Sequence, residues 1–287
     1  MSSRLMVVPW ILCGRVMTVF LSIPMLIWSH QIGSAEKLPL WEFGAGVFPS
    51  TYPIYRGSKD QESHFLLFPY IVYRGEILKA DRDGVRALLY KSSRAEIDVS
   101  LGGAIPVDSD KSAVRSGMPD LDPVFETGPS LNILLLEPSA RSTLKLKLPA
   151  RYAIATDFRS FESAGWIFNP HLTFDSHGLF GGWSASMSFG PVMASKKYHA
   201  YYYDVAANFS TPSRMQYSVS GGYSGSSMLA SLSRRFDEIW VGGFVRYDQL
   251  SGAVFEDSPL VEQDHSLMAG FAIARRFKAS GVQVDVQ

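Results

Sequence analysis

The chain has almost no cysteine: of 287 residues, only Cys13 is one. That excludes a disulfide framework, a thiolate metal cage and, beyond the first residues, a thiol nucleophile. Charge is scarce as well. Asp, Glu, Lys and Arg make up 19% of the residues, below the roughly 25% usual in soluble domains. The 27 basic and 27 acidic residues cancel, so the chain offers no electrostatic footprint for a nucleic acid. After the amino-terminal segment there is no apolar run of about 18 residues, which argues against membrane-spanning helices. Motifs of catalysis are missing too. His30, His64, His171, His177, His199 and His265 form no HExxH, and there is neither a Gly-x-Ser-x-Gly elbow nor a phosphate-binding glycine loop. His171 with Asp175 is the one pairing a hydrolase might use, and no serine is tied to it by spacing. The expectation is a protein without catalytic residues, cofactor or metal.

What is present begins with an export signal. Arg4 and Arg15 precede the apolar run Val16–Trp28, and Gly33-Ser34-Ala35 puts small residues at −3 and −1 of a cut after Ala35. A membrane anchor is the weaker alternative, because the run is short for a span and Pro24 interrupts it. Residues 1–35 are therefore expected to be a signal peptide. Its removal also removes Cys13 and leaves the remainder slightly acidic.

From Leu40 to Phe277 the pattern alternates with a period of two. Leu144, Leu146, Leu148, Ala150, Tyr152 and Ile154 stand against Lys145, Lys147 and Arg151. Ala95, Ile97, Val99 and Leu101 stand against Glu96 and Asp98, and Val245 and Tyr247 against Arg246 and Asp248. Successive side chains of a strand point to opposite faces, so each segment has an apolar and a polar face. Several segments run to about 9–12 residues, the length of a tilted strand crossing a bilayer. A sheet in lipid must close on itself. The reading is an all-β, antiparallel transmembrane barrel at residues 36–277 with a tail at 278–287.

Twelve strands are expected, near 40–48, 65–73, 76–81, 84–90, 95–104, 125–136, 143–154, 164–174, 179–193, 215–236, 239–249 and 265–277. Ten remain possible if 76–90 is not split. With the first strand starting in the periplasm, the inner connections are all short. Five of the six outer ones are long, the asymmetry of outer-membrane barrels. Alternation alone leaves the phase open: a soluble lipocalin-like barrel would carry its apolar face inside. In the membrane reading, Glu42, Glu96, Asp98, Glu126, Lys145, Lys147, Arg151, Arg246 and Asp248 are lumen charges. They either plug the interior by mutual pairing or tune a narrow channel. Tyr201, Tyr202 and Tyr203 read most simply as interfacial aromatics.

Several segments, in order, carry a resemblance. They are Tyr52-Pro-Ile-Tyr-Arg-Gly-Ser58, Pro69-Tyr-Ile-Val-Tyr73, Arg115-Ser-Gly-Met-Pro-Asp-Leu-Asp122, Glu126-Thr-Gly-Pro129, Tyr201-Tyr-Tyr-Asp-Val205 and Asp257-Ser-Pro-Leu-Val261. Together they resemble the MipA/OmpV family over about residues 40–277. The resemblance implies a barrel in the outer membrane of a Gram-negative bacterium, in contact with its lipid. It also implies a scaffold that joins a lytic transglycosylase to a penicillin-binding protein in murein synthesis. Other members are discussed as adhesins, porin-like proteins or antibiotic-response proteins. The alternative, a narrow channel or an outward-facing binding protein, rests on the physics of the barrel. One departure stands out. Outer-membrane strands usually finish on a terminal aromatic, whereas ten residues follow Phe277 here.

Overall fold

The computed structural model describes residues 36–81 and 84–286. The expected signal peptide and the connection at 82–83 lie outside the described residues. The elements are β1 (Glu36–Pro39), β2 (Trp41–Pro53), β3 (Gln61–Arg74), β4 (Leu78–Asp81), β5 (Gly84–Lys91), β6 (Ala95–Ala104), β7 (Val124–Ser139) and β8 (Ser142–Thr156). They continue with β9 (Phe161–Phe168), β10 (His171–Leu179), β11 (Trp183–Ala194), helix α1 (Lys196–Tyr203), β12 (Gly222–Phe236), β13 (Ile239–Gln249), β14 (His265–Ala279) and β15 (Gln283–Val286).

Sequence neighbours pair antiparallel around one sheet, and β14 meets β2 to close the ring. β9 and β10 share one wall position. β9 lies along Ala150–Thr156 of β8, and β10 along Ser142–Lys147 of the same strand. Asn169-Pro170 interrupts them, where proline has no N–H to give to a ladder. The wall therefore counts twelve strands. The expected split of 76–90 is present, as β4 and β5. Among the described residues no helix is long and apolar enough to cross a membrane.

Burial answers the question of phase. Phe65, Leu67, Phe125, Trp166, Phe189, Val245 and Phe271 are exposed, while Glu42, Asp98, Glu126, Thr173 and Asp248, from the alternate positions, are buried. The apolar face points outward. A soluble barrel would have the opposite phase, so the wall is built for hydrocarbon outside and polar groups inside.

The connections differ by end. One end has turns such as Asp237-Glu238, a two-residue hairpin loop. Asp237 adopts φ 48° there, as such tight hairpins require. The other end carries residues 54–60, 105–123, 195–221 and 250–264. Several strand limits shift from expectation. The expected strand 215–236 starts only at Gly222. Val219 is instead held by the Asp204 carboxylate, which accepts its N–H at 2.7 Å, and Tyr217 bridges to Val205. Gly181-Gly182 form part of a turn rather than a strand interior. Beyond Phe277, β14 continues to Ala279, and β15 pairs with β1 as a separate two-stranded ribbon.

Candidate functional site

The outer loops fold into a cap with a core of its own. Ile54, Tyr55, Val107, Leu121, Tyr203, Val205, Val219, Leu250, Phe255 and Leu260 form one buried cluster drawn from four connections. Four of the six segments that carry the family resemblance converge here, while Pro69–Tyr73 lies in β3 and Glu126–Pro129 in β7. The Tyr55 hydroxyl donates to the Leu260 carbonyl at 2.7 Å, and the Ser258 hydroxyl to the Tyr203 carbonyl at 2.8 Å. The Arg115 guanidinium donates to the Tyr202 carbonyl at 3.0 Å and lies 5.7 Å from the Tyr55 ring centre. Gly57 adopts φ 91°, a conformation that suits glycine, and its N–H donates to Ser266 Oγ at 2.8 Å.

Helix α1 brings the three tyrosines into this core. Ser195 caps it, its hydroxyl accepting the Tyr198 N–H at 3.3 Å. The Tyr203 ring stacks on Phe255 with centres 3.8 Å apart, and its hydroxyl donates to the Arg56 carbonyl. Tyr201 donates to the Asp122 carbonyl at 3.0 Å. The interfacial assignment of Tyr201–Tyr203 is therefore corrected: the loop folds back over the mouth, where ring area is buried against protein. Burial raises the Tyr55 and Tyr201 hydroxyls to about 12 and pushes Tyr202 and Tyr203 up as well. His199 is fully buried in the same layer. One ring nitrogen is 2.9 Å from the Ser220 carbonyl and the other 2.5 Å from Ser224 Oγ, and burial lowers its pKa.

The residues expected to be lumen charges fall into separate groups. Glu42 is the hub of the first. Its carboxylate is 2.7 Å from Arg74 and 3.3 Å from Arg276, and it accepts a short hydrogen bond from Arg235. Arg235 also donates to the Tyr70 hydroxyl at 2.7 Å. Because β12 and β2 are not neighbours, this knot crosses the interior at the end of the barrel with short turns. In the second group, Glu126 accepts from the Tyr198 hydroxyl at 3.0 Å and lies 3.9 Å from Arg151. Arg151 in turn donates to Ser100 Oγ at 3.1 Å. α1 thus reaches from the cap down to the inner wall.

Asp98 accepts from the Asn132 side chain at 2.7 Å, and Glu96 lies 3.9 Å from Arg86, which also grips Asp81 at 2.7 Å. Lys145 and Lys147 stand opposite Thr173 and His171 in register. Arg246 is 3.0 Å from Asp248, which Arg56 approaches from the cap at 3.5 Å. His171 and Asp175 lie four residues apart along β10, roughly 13 Å at strand rise, so they do not pair.

Arg74, Arg235 and Arg276 were not among the expected residues, although the alternation carries a signal for all three. Arg74 continues the phase of Tyr70 and Val72, and Arg235 that of Ser231 and Ser233. Arg276 continues that of Ala272 and Ala274, just before a register shift in β14.

Fold and site define an outer-membrane-type β-barrel with a folded cap. The chain belongs to the family described as MltA-interacting protein MipA, whose profile matches residues 43–277. No curated protein matches it. Among solved structures, the chain is similar to outer membrane phospholipase A from Escherichia coli at 11% identity, covering 83% of this chain and 94% of that one, with a TM-score of 0.32. It is also similar to an outer membrane channel from Pseudomonas putida F1 at 12% identity, covering 85% and 98%, with a TM-score of 0.34.

Proposed function

We propose that this chain is a non-enzymatic scaffold of the outer membrane. It holds a lytic transglycosylase, and through it a penicillin-binding protein, on its periplasmic side. In this reading residues 1–35 are a signal peptide, 36–277 the barrel, and the polar groups inside are a plug. The observation that carries the reading is the filled mouth: α1 and the cap occupy the outer opening down to Glu126. Such a barrel works by its surfaces rather than by flow. The family name supports a murein-cleaving partner.

The β1–β15 ribbon is the proposed grip. It extends from β2 and β14, and among the described residues each of its two strands pairs only with the other, which leaves their outer edges for a further strand. Crosslinking in intact cells followed by affinity capture should recover a murein transglycosylase. Deleting Gln283–Val286 should lose it, with the barrel still shifting on a gel when boiled. Recovery of no murein enzyme, or undiminished recovery without the ribbon, would overturn the proposal.

The cap favours a second reading, an outward-facing binding protein, because four of the six family segments meet there. The third reading, a narrow channel, is separated by planar-bilayer conductance, since a plugged scaffold is silent.

A further inference from the structure

The twelve strands are not equally tall. β4 has four residues, and only its Ala80 and Lys79 pair with β3, at Tyr73 and Arg74. Among the described residues, no strand pairs with Gln61–Val72 on the side of β3 away from β2. On the far side of the hairpin, β5 pairs with β6 up to Ser100, opposite Arg86. The missing wall is therefore tall along β3 and low along β6. It spans three strand spacings, about 14 Å between strand axes.

Loop 105–123 forms a lintel over this gap. Lys111 Nζ lies 3.0 Å from the Glu62 carboxylate, and the Ala113 N–H donates to Asp60 at 3.2 Å. Among the described residues the opening is bounded by β3, β6, the β4–β5 pair and this loop, so it is a window rather than a split seam.

Its chemistry runs from polar to apolar. Lys111, Glu62 and His64 stand at the top. Below them Leu66 and Phe68 lie on the inward face of β3, in phase with Tyr70. The inward face continues with Phe48 and Phe244, whose rings pack 6.1 Å apart over Gly270, and Phe68 covers Gly46. A polar interior would bury such rings. Instead Leu66 is 45% exposed and Leu229, inward on β12, 38% exposed, so the space beside them is open. An unpaired strand edge facing hydrocarbon is costly, unless the interior behind it is reachable.

We infer that this window admits a single-chain amphiphile from the outer leaflet. Its alkyl chain enters along Leu66, Phe68, Phe48 and Leu229, and its head stays at Lys111, Glu62 and His64. This inference rests on the wall and not on the scaffold reading, and each can fail without the other.

The test uses the full protein in lipid nanodiscs with a diazirine-bearing palmitic acid, followed by peptide mapping of the adducts. Adducts on the inward residues Leu66, Phe68, Phe48 or Leu229 are expected, besides those on the lipid-facing Phe65 and Leu67. Leu66→Asp should lower the inward adducts about tenfold, because a carboxylate blocks an apolar path, and leave the outward ones unchanged. Adducts confined to outward positions would overturn the inference. So would disulfide-linked dimers through paired cysteines along β3 in place of inward labelling, because a second strand would then cover the edge. The wild-type map decides the matter even if the variant fails to assemble.

Discussion

The two ends of this barrel are filled by opposite means. The cap is made like the interior of a soluble protein: Phe255, Leu250 and Leu260 are fully buried, and Arg115 and Arg214 donate to carbonyls of neighbouring loops. The opposite end is tied by one carboxylate, Glu42, among three guanidiniums. Packing governs the first and charge balance the second. The cap should therefore respond to lost volume and to protonation of its buried histidine, and the knot to the loss of one acidic group.

The largest effect is expected at the knot. Glu42→Ala leaves Arg74, Arg235 and Arg276 facing one another in the interior. Breaking such a buried pair costs about 3–5 kcal/mol. The temperature at which the folded band disappears from unboiled gels should drop sharply, while protease protection of the outer loops persists. An unchanged temperature would mean that water already shields the cluster. Next comes the cap. Phe255→Ala removes the ring under Tyr203 and should cost about 3 kcal/mol. Here limited proteolysis should cut the outer loops while the barrel still shifts on boiling. Loss of both together would make cap and wall a single cooperative unit.

A smaller, pH-dependent effect belongs to His199. Its folded-state pKa lies below the ordinary value because burial disfavours the imidazolium. The unfolded loop then takes up the proton first. The contribution is whole above about pH 6.5 and falls as pH drops from there toward the folded value. Protease protection of the cap should weaken over that window in the wild type and not in His199→Gln. A profile identical in both would show that another group titrates. The smallest effect is expected at Glu238, whose 3.4 Å pair with Arg275 is exposed on a short turn. Glu238→Ala should change stability by about 0.5 kcal/mol or less, as read from the same gel assay.

The wall was legible from alternation because each strand has to present two different faces, and Leu144–Ile154 or Ala95–Leu101 declare this residue by residue. What alternation lacks is direction. That the apolar side points out needed the exposure of Phe65 and Trp166 beside the burial of Asp98 and Asp248. The cap was illegible for a different reason. Tyr55, Tyr203, Phe255 and Leu260 come from loops without any period, and their contacts join positions as far apart as Tyr55 and Leu260. The family segments marked these loops as special, yet not as one core. The knot was half legible: Glu42 stood out, and its arginines keep the inward phase of their strands, yet alternation does not say which charges from separate strands meet.

The cap also has a place in time. Its core draws on four connections distributed along the chain, so it cannot be completed until those loops have been brought together. Contacts this distant in sequence form late, because the intervening chain must first be ordered. Closure of β14 on β2 is what gathers them. The cap is then a record that assembly has finished. An antibody raised against its folded surface would bind completed barrels and pass over every intermediate.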